Sequence, residues 1–171
     1  MQTLLRRLAA LGIALAALFS LFPCQTHAVS TSASSAILMD VDSGRVLYEQ
    51  NADAKMLIAS TTKILTALVA IREGDLNDVV TVSWEAAYTE GSSMYLKVGE
   101  KLTLETLLYG LLLCSGNDAA VAIAEHISGS QEDFAKLMNA TAREIGMEHS
   151  SFANPNGLDH EDHYSTARDM A

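Results

Sequence analysis

One apolar stretch, broken in two by four loop-forming residues, constrains this chain more than any other feature. Residues 102–113 are leucine-rich and helical in character, residues 119–127 resume an alanine-rich helix, and Ser115-Gly116-Asn117-Asp118 stands between them. Two helices this apolar must bury their faces, which pins the polar break against the core. A serine hydroxyl held there can relay a proton, and an asparagine amide can bind a peptide carbonyl. The plain structural alternative is a helix-breaking turn in which Asn117 or Asp118 caps the second helix. Taken alone, these four residues favour the turn, and Asn117 can serve both purposes.

The flanking sequence gives further elements. Ala36-Ile37-Leu38-Met39 and Arg45-Val46-Leu47-Tyr48, joined through Asp42-Ser43-Gly44, read as a β-hairpin. Residues 60–73 read as a helix, with Ser60 at its cap or first turn, Ile64, Leu65, Leu68 and Ile71 at helical spacing, and Gly74 as its stop. Val79-Val80-Thr81-Val82 is a short β-branched run, and residues 84–88 form a helical turn. Met94, Leu96 and Val98 alternate with Tyr95 and Lys97 in strand fashion before a turn at Gly99-Glu100. An amphipathic helix is expected over 131–145, a turn at Asn154-Pro155-Asn156-Gly157, and the start of one more helix at Ser165-Thr166. A hairpin of two strands makes no stable sheet by itself, so further strands are expected beyond this sequence.

The first 28 residues are set apart from the fold. Arg6 and Arg7 precede the apolar run 8–22, and Thr26-His27-Ala28 ends in a small residue, the order of a secretory signal peptide. A retained N-terminal anchor is the alternative. Residues 29–35 read as a flexible lead-in, and 36–171 as one domain that is incomplete by itself. The formal net charge is −10, and removal of Arg6 and Arg7 with the leader makes it more negative by two. Such an acidic surface argues against nucleic acid, whose phosphates are bound by Lys and Arg. It argues equally against anionic membrane surfaces. Cys24 leaves with the leader, so Cys114 has no partner for a disulfide, and it reads as a small buried residue closing the run Leu111-Leu112-Leu113.

Ser60-Thr61-Thr62-Lys63 places a serine and a lysine three apart at a helix start, where such residues are neighbours on the surface. A serine hydroxyl attacks only when a base takes its proton. Lysine is such a base when its ammonium is disfavoured, and burial and the positive helix terminus both act in that direction. Backbone N–H groups at the same terminus can stabilise an oxyanion. A capping serine followed by a solvated lysine is the alternative, and the spacing is common by chance. However, a first turn favours anions, so a lysine there is out of place for stability alone. His160-x-x-His163, with Asp159 and Asp162, has ligand-like residues, but its turn-rich surroundings read as a loop and not as a metal site. His126 and His149 have no partner identifiable in the sequence.

Together these motifs resemble the penicillin-binding serine D-alanyl-D-alanine carboxypeptidase family. Residues 35–50 resemble its opening strands. Ile58-Ala59-Ser60-Thr61-Thr62-Lys63-Ile64-Leu65 resembles its nucleophile helix, and Tyr109-Gly110-Leu111-Leu112-Leu113-Cys114-Ser115-Gly116-Asn117-Asp118-Ala119-Ala120 its second motif. Asn154-Pro155-Asn156-Gly157-Leu158 and His163-Tyr164-Ser165-Thr166-Ala167-Arg168-Asp169 are similar to further family segments. The resemblance implies an α/β (α+β) fold of the β-lactamase/D,D-peptidase type, an antiparallel sheet with a helical subdomain. It implies Ser60 as nucleophile, Lys63 as base, Ser115 as proton relay and Asn117 as substrate-amide ligand, with no metal or organic cofactor. The implied partners are a peptidoglycan stem peptide ending in D-Ala-D-Ala and β-lactams as covalent inhibitors, in an exported, extracytoplasmic setting. The family's third motif, Lys-Thr-Gly on a strand, has no match here. The expectation is therefore an N-terminal part of a longer protein, inactive or nearly so on its own, with any C-terminal membrane anchor beyond it. A class A β-lactamase shares Ser-x-x-Lys but usually carries Ser-Asp-Asn where Gly116 stands here. A β-lactam sensor that acylates without turnover, and a non-catalytic envelope binding protein, are two further readings of the same motifs.

Overall fold

In the computed structural model, which describes residues 31–171, two antiparallel strand pairs flank a helical core. The signal peptide expected over 1–28, and residues 29 and 30 of the expected lead-in, lie outside the described residues. Strand β1 (Ala36–Met39) pairs with β2 (Val46–Gln50) from Ala36 opposite Gln50 to Met39 opposite Val46, with an irregularity between Leu38 and Met39. A 3-10 turn (Ala59–Thr61) leads into α1 (Thr62–Glu73). Strand β3 (Val79–Thr81), the short α2 (Trp84–Ala87) and β4 (Lys101–Thr103) follow, with β3 and β4 antiparallel. Helices α3 (Leu104–Leu113), α4 (Asn117–Ser128), α5 (Gln131–Glu144) and α6 (Ala167–Met170) complete the order. Among the described residues, no helix is long and apolar enough to cross a membrane.

Helix α4 is the hub. Every residue from Asn117 to Ala124 is buried, and α1, α2, α3, α5 and β3 all pack against it. Its alanines leave little side chain between helix backbones, so five elements can approach one helix at close-packed density. Leu104, Leu107, Leu108 and Leu111 of α3, Val69 and Ala70 of α1, and Phe134 and Met138 of α5 fill the space around it. The cap expected at Asn117 or Asp118 is not formed: both lie inside α4, whose cap residue is Gly116 with no side-chain cap bond. Thr103 accepts from Thr106 N–H at the start of α3, Ser130 accepts from Asp133 N–H at the start of α5, and Gly129 ends α4 in the left-handed region at φ 79°.

Several expectations are corrected. The helix expected from residue 102 begins at Leu104, because Lys101–Thr103 pairs with β3 and Thr103 caps. Met94-Leu96-Val98 forms no strand. The Asp118 carboxylate accepts from the Met94 and Leu96 N–H groups at 3.1 Å each, taking donors a strand ladder would use, and Tyr95 between them sits at φ 63°. Cys114 is exposed, as are Leu112 and Leu113, because the buried stripe of α3 ends at Leu111. His126 Nε2 lies 3.3 Å from Asp78 Oδ2, and the backbone N–H of His149 donates to Asp169 Oδ2 at 2.7 Å, so both histidines have partners.

Candidate active site

The start of α1 departs from ordinary capping. Its cap residue Thr61 makes no side-chain cap bond, and no acidic residue occupies the first turn. Ser60 lies in the 3-10 turn ahead of the helix, not at a side-chain cap, and Ala59 before it is held at φ 45°. A non-glycine residue in this region costs about 1–2 kcal/mol. Ser115 repeats the pattern at φ 54°. Strained residues of this kind cluster where geometry is imposed by surrounding structure, as at active sites.

Lys63 is 2% exposed, and its ammonium nitrogen meets three oxygens. Nζ is 3.2 Å from Ser60 Oγ, 2.7 Å from Asn117 Oδ1 and 2.7 Å from the Asn156 carbonyl. Burial pushes the Lys63 pKa below its ordinary value. A neutral amine has two N–H donors and one lone pair. In that form the two short contacts would use both donors and the longer one would leave the lone pair to the Ser60 hydroxyl, whereas the ammonium form donates to Ser60 Oγ.

Asn117 is fixed from three sides. Its Nδ2 donates to Glu90 O at 2.7 Å, its backbone N–H donates to Ser92 O at 2.7 Å, and Oδ1 takes the Lys63 contact. One amide proton and one lone pair remain for a ligand. The 91–96 loop that receives Asn117 is tied down by Asp118, which accepts from Ser93 Oγ at 2.6 Å besides Met94, Leu96 and Ala119 N–H. Burial alone would raise the Asp118 pKa, but these hydrogen bonds, led by Ser93, hold it below the usual carboxylate range. Ser115 lines a surface cavity with Ser60, Thr61, Lys63, Ile64, Leu111 and Leu112. Three of the four residues singled out in the sequence thus meet. Ser60, Lys63 and Asn117 share one polar contact chain, whereas Ser115 joins them only across the cavity.

Three contributions were not visible in the sequence. The Asn156 carbonyl belongs to a stretch read as a turn and as a family-like segment but given no role in the site, and Thr66 Oγ1 fixes that turn by donating to Pro155 O at 2.7 Å. Gly157, at φ 89°, passes directly beneath Ala59: a Cβ added there would lie 2.0 Å from the Ala59 carbonyl oxygen. His163 is buried against Thr62. The only advance signal was Asn-Pro-Asn-Gly itself, whose glycine marks a backbone needing positive φ or close approach. Gly157→Ala is expected to cost about 2–3 kcal/mol, from backbone strain plus overpacking, and to displace Ser60. Urea unfolding checks the first effect and the acylation rate of the soluble variant the second.

His160 and His163 do not converge on a common point. His163 bonds Thr62 and Ala153, while His160 Nδ1 accepts from Asp162 N–H at 3.1 Å. Among the described residues, no group of three or more His, Cys, Asp or Glu side chains is placed to hold a metal ion.

A buried lysine faces a serine across a strained helix start, beside an Asn-bearing loop. Residues 23–171 match the family model of D-alanyl-D-alanine carboxypeptidases (peptidase S11), and the chain belongs to that family. It is 44% identical over 152 residues to the D-alanyl-D-alanine carboxypeptidase DacF of Bacillus subtilis, covering 86% of this chain and 39% of that protein. Against DacC of Escherichia coli it is 44% identical over 156 residues, with 85% and 39% covered. Among solved structures, the carboxypeptidase DacD of Francisella tularensis superposes with a TM-score of 0.79 at 40% identity, covering 84% of this chain and 36% of that one. Penicillin binding protein 5 of Haemophilus influenzae gives 0.80 at 34% identity, covering 85% and 45%. The fold is therefore that of the D,D-peptidases, and the chain spans about two-fifths of the length of the curated relatives it matches.

Proposed function

We propose that this chain carries the acylating centre of an exported serine D-alanyl-D-alanine carboxypeptidase that trims peptidoglycan stem peptides. The observation that carries the reading is the lysine nitrogen held by Asn117 and Asn156 with its third contact on Ser60 Oγ. In the proposed course, Lys63 takes the Ser60 proton as Oγ attacks the carbonyl between the two terminal D-alanines. Ser115 passes a proton to the departing D-alanine, whose C–N bond breaks, and Asn117 holds the substrate amide with its remaining amide proton. Water then attacks the Ser60 ester, releasing the shortened peptide and restoring the hydroxyl. A β-lactam presents a strained amide to the same oxygen and acylates it. The nucleophile, base and relay are all protein groups, so the course requires no metal or organic cofactor.

The test is release of D-alanine by the full-length protein from an acylated tripeptide ending in D-Ala-D-Ala. The expected result is release from that peptide, none from its L-Ala-L-Ala counterpart, and a fall of about 10²-fold or more in Ser115→Ala. Absence of release from the D-Ala-D-Ala peptide would overturn the reading.

A further inference from the structure

His163 takes no part in the chemistry just proposed, yet it is 1% exposed and both of its ring nitrogens are engaged. Nδ1 accepts from the Ala153 N–H at 3.1 Å. A nitrogen that accepts carries no proton, so the neutral ring holds its proton on Nε2. Nε2 lies 2.7 Å from Thr62 Oγ1, to which it therefore donates. The ring stands edge-on to Phe152, with centroids 5.7 Å apart, which fixes its plane.

The two partners belong to the two halves of the lysine cradle. Thr62 opens α1, directly between the Ser60 turn and Lys63. Ala153 leads into the turn whose Asn156 carbonyl accepts from Lys63 Nζ and whose Gly157 passes beneath Ala59. Both ring nitrogens of His163 are taken up by Thr62 and Ala153 and neither bonds Ser60 or Lys63, so it is placed as no acid or base in the reaction. Resting on the proposed Ser60–Lys63 chemistry, we infer that His163 is a positioning residue. Its neutral ring clamps the start of the nucleophile helix to the 153–157 turn and so sets where the Asn156 carbonyl meets the Lys63 amine.

The clamp needs one donor and one acceptor. An imidazolium has two donors, and its Nδ1–H would face the Ala153 N–H in a buried site. Burial pushes the His163 pKa down, His160 of the same segment acts in the same direction, and Asp159 opposes both. From α1 the adjacent ionisable group is Lys63, which follows Thr62. The ring is therefore neutral where the lysine chemistry operates. The clamp opens as pH falls through the lowered histidine value, below the ordinary range near about 6.5.

Three forms of the full-length protein test this, with the rate constant of acylation by a fluorescent penicillin measured across pH. Glutamine offers an amide NH₂ as donor group and a carbonyl oxygen as acceptor and does not titrate. His163→Gln is expected to acylate within about threefold of the parent at neutral pH and to lose the acid limb of the profile. His163→Ala is expected to acylate about 10–100-fold more slowly, the scale of a misplaced reacting group. Its Lys63 limb should also move up toward the ordinary lysine value as water enters. Nitrogen-15 NMR of the parent should show the His163 proton on Nε2. An Nδ1 proton, an unchanged rate in His163→Ala, or an intact acid limb in His163→Gln would each overturn the inference. The glutamine variant and the NMR measurement decide it if the alanine variant does not fold. A parent protein that is never acylated would instead refute the Ser60–Lys63 chemistry.

Discussion

Replacing Lys63 by methionine is expected to slow penicillin acylation of the full-length protein by about 10²–10⁴-fold, the usual contribution of a positioned general base. The length and burial of the side chain are kept, but no atom remains to take the Ser60 proton. Lys63→Arg should not rescue the rate, because a guanidinium stays charged at any working pH and cannot accept a proton. The pH dependence follows from the same contacts. Burial lowers the Lys63 pKa, so the neutral amine accumulates at lower pH than in a solvated lysine. Acylation by the parent should rise with pH through that lowered value, and the residual rate of Lys63→Met should lack this limb. The stability linkage has the same sign. The folded state disfavours the lysine proton, so the resulting cost is fully present below the folded value and disappears above the unfolded one, near about 10.4. A parent profile that is flat on the alkaline side, or a Lys63→Met rate within about threefold of the parent, would contradict the assignment.

The largest loss of stability is expected at Asp118, a residue outside the proposed reaction. Its carboxylate is fully buried and accepts from Ser93 Oγ and from the N–H groups of Met94, Leu96 and Ala119. It also sits in the first turn of α4, where the helix terminus favours negative charge. Asp118→Ala leaves four donors facing a cavity, and breaking a buried charged network by removing one partner costs about 3–5 kcal/mol. Asp118→Asn keeps the shape but turns an amide N–H₂ toward those donors, so it should recover only part of the loss. The folded state holds this carboxylate ionised below the usual range, so its stabilisation is complete above the unfolded carboxyl value near about 3.9. It is lost as pH falls through the folded one. Urea unfolding of the parent and both variants measures the effect. A cost below about 1 kcal/mol in Asp118→Ala would mean that the 91–96 loop is held by something else.

Much of the site was legible because its chemistry is local. Ser60 and Lys63 are three apart on one helix start, and Ser115 and Asn117 sit in one break between two apolar helices, so the sequence brings each pair together before any tertiary contact forms. The hairpin, the stop at Gly74 and the end of α4 at Gly129 were legible for the same reason: each depends on a few adjacent residues. What was missed depends on contacts between distant segments. The Met94-Leu96-Val98 alternation had the period of a strand, but a carboxylate more than twenty positions away took two of its backbone donors. His163 read as half of a His-x-x-His pair set aside as a metal site and as the start of a family-like segment, because nothing in the sequence shows Thr62 as its partner, 101 positions earlier. A main-chain carbonyl such as that of Asn156 has no residue-type signature at all. Cys114 was misplaced for a simpler reason. An unbroken leucine run conceals which face of a helix is buried, and the stripe through Leu104, Leu107, Leu108 and Leu111 excludes the position.

The central claim is that Ser60 Oγ is the atom that becomes acylated. The most direct measurement is the mass of the full-length protein after exposure to benzylpenicillin, followed by digestion with trypsin. The account predicts one penicilloyl adduct, carried on the peptide from Met56 to Lys63 and absent from Ser60→Ala. An adduct on any other peptide, or one that persists in Ser60→Ala, would contradict it.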